Sequence, residues 1–298
     1  MITVNKFEPT FSKFPNGEIN VSLSSTLLDT LEEEHAVIEW HFNDNEELVK
    51  LALLVSALEE HTTSITVQGG YLPYSRMDRR EPGKNNPFSL QAFINLLPVP
   101  SSDSTDIRYE YEDVHNLQVA NDLFRDKKDE LSNFDYQLSG ANVLFFAKSY
   151  LPVYNKVLVV LPDKGSKERY KNFINEGKFP LMSQDADVAM GYKTRDFDTH
   201  EITDFGITNL VDNKPLTSEY ISLFDKVVII DDVVSYGNTF VNLLDYLVDL
   251  GATDIDLILG NAEDSLWRGD LLSNKNLRRV YTSGNLTNHH SDSKVVVY

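Results

Sequence analysis

Residues 227–240 read VVIIDDVVSYGNTF. Four β-branched apolar residues lead into two carboxylates, Asp231 and Asp232, and then into a short polar loop and an amphipathic stretch. A short apolar run without alternation suits a strand buried on both faces, as in a parallel sheet covered by helices. Ligands of open α/β sheets bind beyond the carboxyl ends of the strands, and the acidic pair is expected at such an end. Carboxylates accept hydrogen bonds from vicinal hydroxyls, so a sugar diol is a natural partner. The loop Ser235, Tyr236, Gly237, Asn238, Thr239 leads into a helix expected from about 238–240. The free N–H groups and dipole of a helix start attract phosphate. Tyr236 and Asn238 are bulky for such a cradle. The competing explanation is that the carboxylates cap the next helix or hold a structural metal.

Working outward, ITVQG (65–69), VLVVL (157–161) and IDLIL (255–259) also read as strands buried on both faces. Amphipathic segments lie between them. Leu48, Leu51, Val55 and Leu58 share one helical face, as do Leu90, Phe93, Ile94 and Leu97, and Leu243, Leu244, Leu247 and Leu250. Gly251 stands where a C-terminal cap belongs. Strand–helix alternation of this kind implies an α/β fold with mainly parallel sheet. SITVQGGYLPYSRMDRR (64–80) and KVLVVLPDKGSKERY (156–170) share an order of strand, proline, polar loop and basic cluster. That order suggests two related halves meeting near 135–145, although chance agreement accounts for it equally well. The Ser/Asp-rich VPSSDSTD (99–106) reads as an exposed loop.

The chain has 298 residues, enough for two compact domains or one large one. Its net charge of -19 argues against a nucleic-acid or anionic-membrane partner, which would need a basic face. It contains no cysteine, which excludes disulfides, thiolate nucleophiles and cysteine-bound zinc. The start MITVNKFEPT lacks the basic and apolar regions of a secretory signal, and no apolar run is long enough to span a bilayer. A cytoplasmic protein is the expectation. No GxGxxG follows any strand, which weighs against a dinucleotide binder.

DKVVIIDDVVSYGNTF resembles the phosphoribosyl-pyrophosphate motif shared by phosphoribosyltransferases and ribose-phosphate diphosphokinases. Five further segments resemble the diphosphokinases, in family order and over nearly the whole chain. FPNGEINV (14–21) looks like their FxNGE, YLPYSRMDRRE (71–81) like PYxxYxRQDR, and EDVHN (112–116) like DLH. LPDKGSKERYKNF (161–173) is similar to PDxGGxxRxxxF, and GYKTRD (191–196) to the KxR of a flexible catalytic loop. The resemblance implies two similar phosphoribosyltransferase-like domains, residues 1–140 on the ATP side and 141–298 on the ribose-phosphate side, each with a mainly parallel sheet flanked by helices. It implies Mg²⁺-dependent transfer of the pyrophosphoryl group of ATP to the anomeric hydroxyl of a ribose 5-phosphate unit, with release of AMP. Phe14 would stack on adenine, with Asn16 and Glu18 reading its polar edge; Arg76 would contact ATP, and Asp78, on the same ATP side, would orient basic groups nearby. His115 would meet the ATP phosphates and the metal. Asp163 would hold a second magnesium or the ribose region. Lys193 and Arg195 would stabilise the group in flight, while Asp231, Asp232 and residues 235–239 would hold the ribose phosphate. A homo-oligomer, dimer or hexamer, is implied as well, because the Phe14 loop reaches a neighbouring site in the family.

The chain departs from the family mainly on the acceptor side. Ser235 has lost a carboxylate, Tyr236 adds bulk and Asn238 replaces a small residue. Met77 replaces a Gln, and Lys164 and Ser166 replace small residues after Asp163. This pattern keeps a second acceptor in view. ADP-ribose presents the same diol and anomeric hydroxyl but has an esterified 5-phosphate; its product, ADP-ribose pyrophosphate, would serve NAD synthesis. Two other readings are a transferase that consumes the sugar pyrophosphate and a catalytically weak regulatory relative.

Overall fold

The computed structural model describes residues 2–31, 35–140, 142–150, 154–175, 186–195, 202–283 and 292–298. The chain divides into two compact units, Met1–Gly140 and Ala141–Tyr298.

The first unit opens with β1 (Ile2–Val4) and the hairpin strands β2 (Thr10–Lys13) and β3 (Ile19–Ser22), followed by a short α1 (Ser25–Leu28). A strand–helix repeat follows: β4 (His35–Trp40), α2 (Glu46–Leu58), β5 (Ser64–Tyr71), α3 (Ser89–Leu96), β6 (Asp106–Glu112), α4 (Leu117–Glu130) and β7 (Phe134–Leu138). The sheet order is β1-β4-β5-β6-β7. β4 to β7 are parallel, and β1 pairs antiparallel with β4. One apolar cluster unites the inward residues of these strands with the buried faces of α2, α3 and α4. The expectation that ITVQG is buried on both faces fails. Ile65 and Val67 are buried, whereas Thr66 is half-buried and Gln68 exposed. The opposite face carries polar side chains, so the strand alternates as a one-sided sheet requires.

The second unit contains α5 (Asn142–Tyr150), β8 (Val157–Leu161), α6 (Lys164–Asn175), β9 (Ala186–Arg195), β10 (Ile202–Asn209), α7 (Ser218–Ile221), β11 (Lys226–Val234), α8 (Asn238–Asp249), β12 (Ile255–Ala262), β13 (Leu277–Thr282) and β14 (Val295–Val297). Its seven strands run β10-β9-β8-β11-β12-β13-β14, all parallel except for the β9–β10 pair. Here both faces are covered. Leu158, Val160, Val227 and Ile229 pack with α8 in one cluster; Val157, Val159, Val228 and Ile230 pack with α5 in another. Continuous apolar strands are the consequence. α8 ends as the sequence suggests. Gly251 takes φ 101°, its N–H donates to the Val248 carbonyl, and the Ala252 N–H donates to the Leu247 carbonyl. This is a glycine-terminated helix end whose last carbonyls are satisfied.

The two segments that echo each other in sequence part ways after their strands. α6 begins at Lys164, directly behind β8, whereas residues 72–80 make turns. Among the described residues, no helix is long and apolar enough to cross a membrane.

Candidate active site

The winding of the second sheet reverses beside β8. β9 follows β8 on one side, and β11 joins it on the other. Such a reversal opens a crevice at the carboxyl ends of the strands, the usual ligand position in open α/β sheets. Asp163 follows β8, and Asp231 and Asp232 lie near the end of β11.

The acidic pair is not beyond its strand. β11 runs to Val234, two residues past Asp232. Its ladder with β8 stops at Ile229–Val160, but pairing with β12 continues to Val234–Ala262. The carboxylates therefore sit on strand backbone held from one side, where β8 has ended. Their buried charge is met by Arg169 of α6. Its Nη1 lies 2.6 Å from Asp231 Oδ1 and 2.9 Å from Asp232 Oδ1. The Arg169 side chain is 4% exposed, that of Asp231 16% and that of Asp232 2%. Burial pushes the Asp231 carboxyl well above the ordinary range; the charges of Asp232 and Asp163 push the same way, and Arg169 offsets them only in part. For Arg169, burial works against the cation, but the charges of Asp232 and Asp231 outweigh it and raise the guanidinium above its usual value.

Asp163 caps α6. The Ser166 N–H donates to Asp163 Oδ1 (3.0 Å), the Asp163 N–H donates to Ser166 Oγ (3.1 Å), and that hydroxyl donates to the Asp163 carbonyl (2.8 Å). This reciprocal cap explains why a serine stands at 166, where it is buried. A Cβ at Gly191 would fall 2.5 Å from the Pro162 carbonyl oxygen. The strand that leads to Lys193 thus runs hard against the turn that carries Asp163. Lys193 and Arg195 themselves lie on β9, in register with Phe205 and Ile202 of β10. The stretch expected as a flexible loop is strand as far as Arg195, because β10 pairs with it. The side chains of Lys193 and Arg195 lie outside the described residues.

The loop from Ser235 to Thr239 is shaped by glycines. Gly237 is left-handed (φ 87°) and caps α8, and its carbonyl accepts the N–H groups of Phe240 and Val241. A Cβ there would lie 2.7 Å from the Leu271 side chain, and one at Gly269 would lie 2.0 Å from the Tyr236 carbonyl oxygen. Residues 235–237 and 269–271 are therefore locked together. Ser235 Oγ lies 2.8 Å from Ser265 Oγ, which donates to Glu263 at 3.3 Å. Tyr236 is 48% exposed, and the Arg268 guanidinium lies 5.7 Å from its ring centroid. Asn238 is exposed and Thr239 half-buried. As the first two residues of α8, both have N–H groups without an intrahelical acceptor.

The remaining candidates belong to the first unit. Phe14, 54% exposed, begins the β2–β3 turn. The turn is closed by the Phe14 N–H to the Glu18 carbonyl and by the Glu18 N–H to Asn16 Oδ1 (3.2 Å). Asn16 is thus engaged in shaping its own turn. Arg76 and Met77 are exposed, in a turn entered through Tyr74 at φ 61°. Asp78 is buried and accepts from the Asn116 side-chain amide at 2.6 Å, rather than from an arginine. Asn116 also caps α4, and half-buried His115 sits beside it at the junction with β6. Asp78, His115 and the start of α4 therefore form one local constellation.

The sequence profile for the N-terminal domain of ribose phosphate pyrophosphokinase matches residues 2–99. A ribose-phosphate pyrophosphokinase of Saccharolobus solfataricus is 25% identical over 262 residues, covering 85% of this chain and 78% of that protein. The crystal structure of phosphoribosylpyrophosphate synthetase from Mycobacterium smegmatis superposes with a TM-score of 0.63 at 18% identity, over 98% of this chain and 85% of that one. The chain is thus similar, at a distance, to the ribose-phosphate pyrophosphokinases.

Sequence reasoning within that family missed Arg169, Glu263, Ser265 and Arg268. Arg169 stood inside the quoted segment PDxGGxxRxxxF but was given no role. Its place one and a half turns into the helix that Asp163 caps was the available signal. The Ser265–Glu263 pair left no local trace.

Proposed function

We propose that the chain is an ATP-dependent diphosphokinase that transfers the pyrophosphoryl group of ATP to the anomeric hydroxyl of a ribose 5-phosphate unit. The observation that carries this is the acidic pair, charge-balanced by Arg169, at the switch point of a family fold, followed by a left-handed glycine and an open helix start. The anomeric oxygen attacks the β-phosphorus, the bond from that phosphorus to the α-phosphate oxygen breaks, AMP leaves, and the hydroxyl proton is lost. Asp231 is positioned to accept from the ribose diol, and the N–H groups of Asn238 and Thr239 to donate to the 5-phosphate. Lys193 and Arg195 neutralise charge on the group in flight. Phe14, Asn16, Glu18, Arg76, Asp78 and His115 hold ATP.

Among the described residues, no three acidic or histidine side chains converge into a metal cage. That suits Mg²⁺, which keeps several waters and needs only one or two protein carboxylates beside substrate phosphates. His115 would hold an ion beside the ATP phosphates, and Asp163 would hold a second, through the carboxylate oxygen its cap leaves over. When bound, the metal offsets phosphate charge in a protein of net charge -19. The function includes assembly as a homo-oligomer and work in the cytoplasm.

The exposed Tyr236 favours a second acceptor, ADP-ribose, whose esterified phosphate needs a wider loop. The test is AMP release from Mg-ATP with each acceptor, with products identified by mass. AMP with ribose 5-phosphate alone supports the simple acceptor, and AMP with ADP-ribose alone supports the extended one. AMP with neither overturns the diphosphokinase reading in favour of a regulatory relative. Release of pyrophosphate from a supplied sugar pyrophosphate, without AMP, would instead mark a transferase.

A further inference from the structure

A guanidinium stands beside the acceptor loop, against an aromatic ring. Arg268 closes a single 3-10 turn, Asp264–Arg268, and is exposed. Asp264 and Asp270 flank it in sequence, yet no carboxylate among the described residues forms an ion pair with it. Its described contact is the Tyr236 ring, 5.7 Å from the guanidinium carbon. The backbones fix this pairing. Gly269 is pressed against the Tyr236 carbonyl, and Gly237 against Leu271, so tightly that neither glycine position has room for a Cβ. A guanidinium laid against an aromatic ring keeps its in-plane N–H donors free, and that fork matches a phosphate.

We infer that Arg268, backed by Tyr236, is a specificity-determining residue of the acceptor side. It takes a phosphate that lies beyond the 5-phosphate of an extended acceptor, a ribose joined through a diphosphate to a nucleoside. The inference rests on the acceptor side proposed above and says which chemistry that side prefers. A terminal 5-phosphate is served by the amides that open α8. A second phosphate brings another negative charge into a strongly acidic protein, and Arg268 is the cation placed to meet it. The exposed part of the Tyr236 ring adds a surface on which a base can stack. A purely structural cation–π contact would leave ligand preference untouched.

The experiment measures binding of ADP-ribose and of ribose 5-phosphate to the full chain by calorimetry, for the wild type, Arg268→Ala and Arg268→Lys. Melting temperatures check that each variant folds. Loss of a charge-assisted phosphate contact should lower the ratio of ADP-ribose to ribose 5-phosphate affinity by about tenfold in Arg268→Ala. Arg268→Lys should restore part of it, since the charge returns without the planar fork. A ratio that moves less than about twofold, or a wild type that does not bind ADP-ribose, overturns the inference. AMP release from Mg-ATP is read separately. AMP formation with an unmoved ratio sinks the Arg268 assignment alone. An Arg268-dependent ratio without AMP from any acceptor sinks the reaction and leaves the assignment standing.

Discussion

The two sheets are built from the same strand–helix repeat but bury different numbers of faces. In the first unit, β4 to β7 cross the sheet in chain order, and one apolar cluster lies under them. The other face is a polar lattice. His35 meets Thr66 (3.0 Å), Gln68 donates to Glu110 (3.2 Å), and Arg108 reaches Glu110 (3.1 Å) and Asp135 (3.5 Å). In the second unit the order reverses at β8, and both faces are apolar. A crevice between helices arises only where winding reverses. The second unit accordingly gathers its candidate residues at one switch point, while the first offers a hairpin tip, a turn and a strand–helix junction. The difference also predicts where charge matters. An ion pair at the switch point is walled in by two cores, whereas one on the open face shares its charges with water.

The largest expected effect follows from that. Arg169→Met removes the cation and leaves Asp231 and Asp232 buried together, which should cost about 3–5 kcal/mol of stability in chemical denaturation. Arg169→Lys should recover part of the loss, because a point charge replaces a guanidinium that touches both carboxylates. A loss below about 1 kcal/mol for the methionine variant would mean that the pair is solvated like a surface bridge. The contrast between the units would then fail.

Much of the second unit was legible because its strands carry an unbroken apolar signal. VLVVL is β8, residue for residue. In the first unit the alternation of Ile65, Thr66, Val67 and Gln68 carried the correct message, and weight given to the apolar members obscured it. The end of β11 could not be read locally. Two adjacent carboxylates look like a stop because charge inside a strand is costly without a partner. The partner is Arg169, 62 residues earlier in the chain. The same limit hid the Ser235–Ser265 contact, which spans 30 residues. Positions along the chain were readable; the identity of a side chain's tertiary partner was not.

The first unit has its own buried charge, which tests the comparison from the other side. Lys127 of α4 donates to the carbonyls of Ile94 (2.8 Å), Asn95 (3.3 Å) and Leu97 (2.8 Å), closing the end of α3. Lys127→Met keeps the apolar stem but strands those acceptors, at a cost of about 2 kcal/mol. Burial pushes the Lys127 amine down to about 8, against a slight pull upward from Glu130. An unfolded lysine titrates near 10.4. Between those values the unfolded chain binds more protons, so this contribution rises with pH and is lost as pH falls through about 8. Tyr109 and Tyr111, raised by burial, act with the opposite sign and only above their unfolded value of about 10. Stability measured from pH 7.5 to 9.5 should therefore rise less in Lys127→Met than in the wild type. Equal slopes would show that the three carbonyls keep the amine charged throughout.

A smaller effect, of opposite sign, is expected at the switch point. The Asp231 carboxyl is raised by burial and by Asp232, so its folded value exceeds its unfolded one. Such a group contributes stability below the unfolded value and loses it as pH rises through the folded one. Asp231→Asn removes that loss and leaves Asp232 to hold Arg169. It should raise stability at neutral pH by about 1 kcal/mol while abolishing AMP release, a trade common at functional sites. A destabilised variant would show that Arg169 outweighs burial and repulsion together.

The smallest effect should come from the open face of the first sheet. Arg108 sits in a polar lattice like a functional cluster, flanked by Glu110, Asp135, Gln137 and Lys128. Its side chain is 40% exposed, however, and those of Glu110 and Asp135 are 29% and 44% exposed. Water therefore screens each pairing, and each partner retains solvent or a neighbour when the arginine is removed. Arg108→Ala should cost no more than about 1 kcal/mol, and less at high salt. Arg169 holds its carboxylates at 2.6 and 2.9 Å and Arg108 at 3.1 and 3.5 Å, so distance and the number of buried faces rank the two arginines in the same order. If Arg108→Ala matched Arg169→Met in cost, the open face would have to be covered in solution. The first sheet would then be two-sided like the second, with another molecule supplying the missing layer.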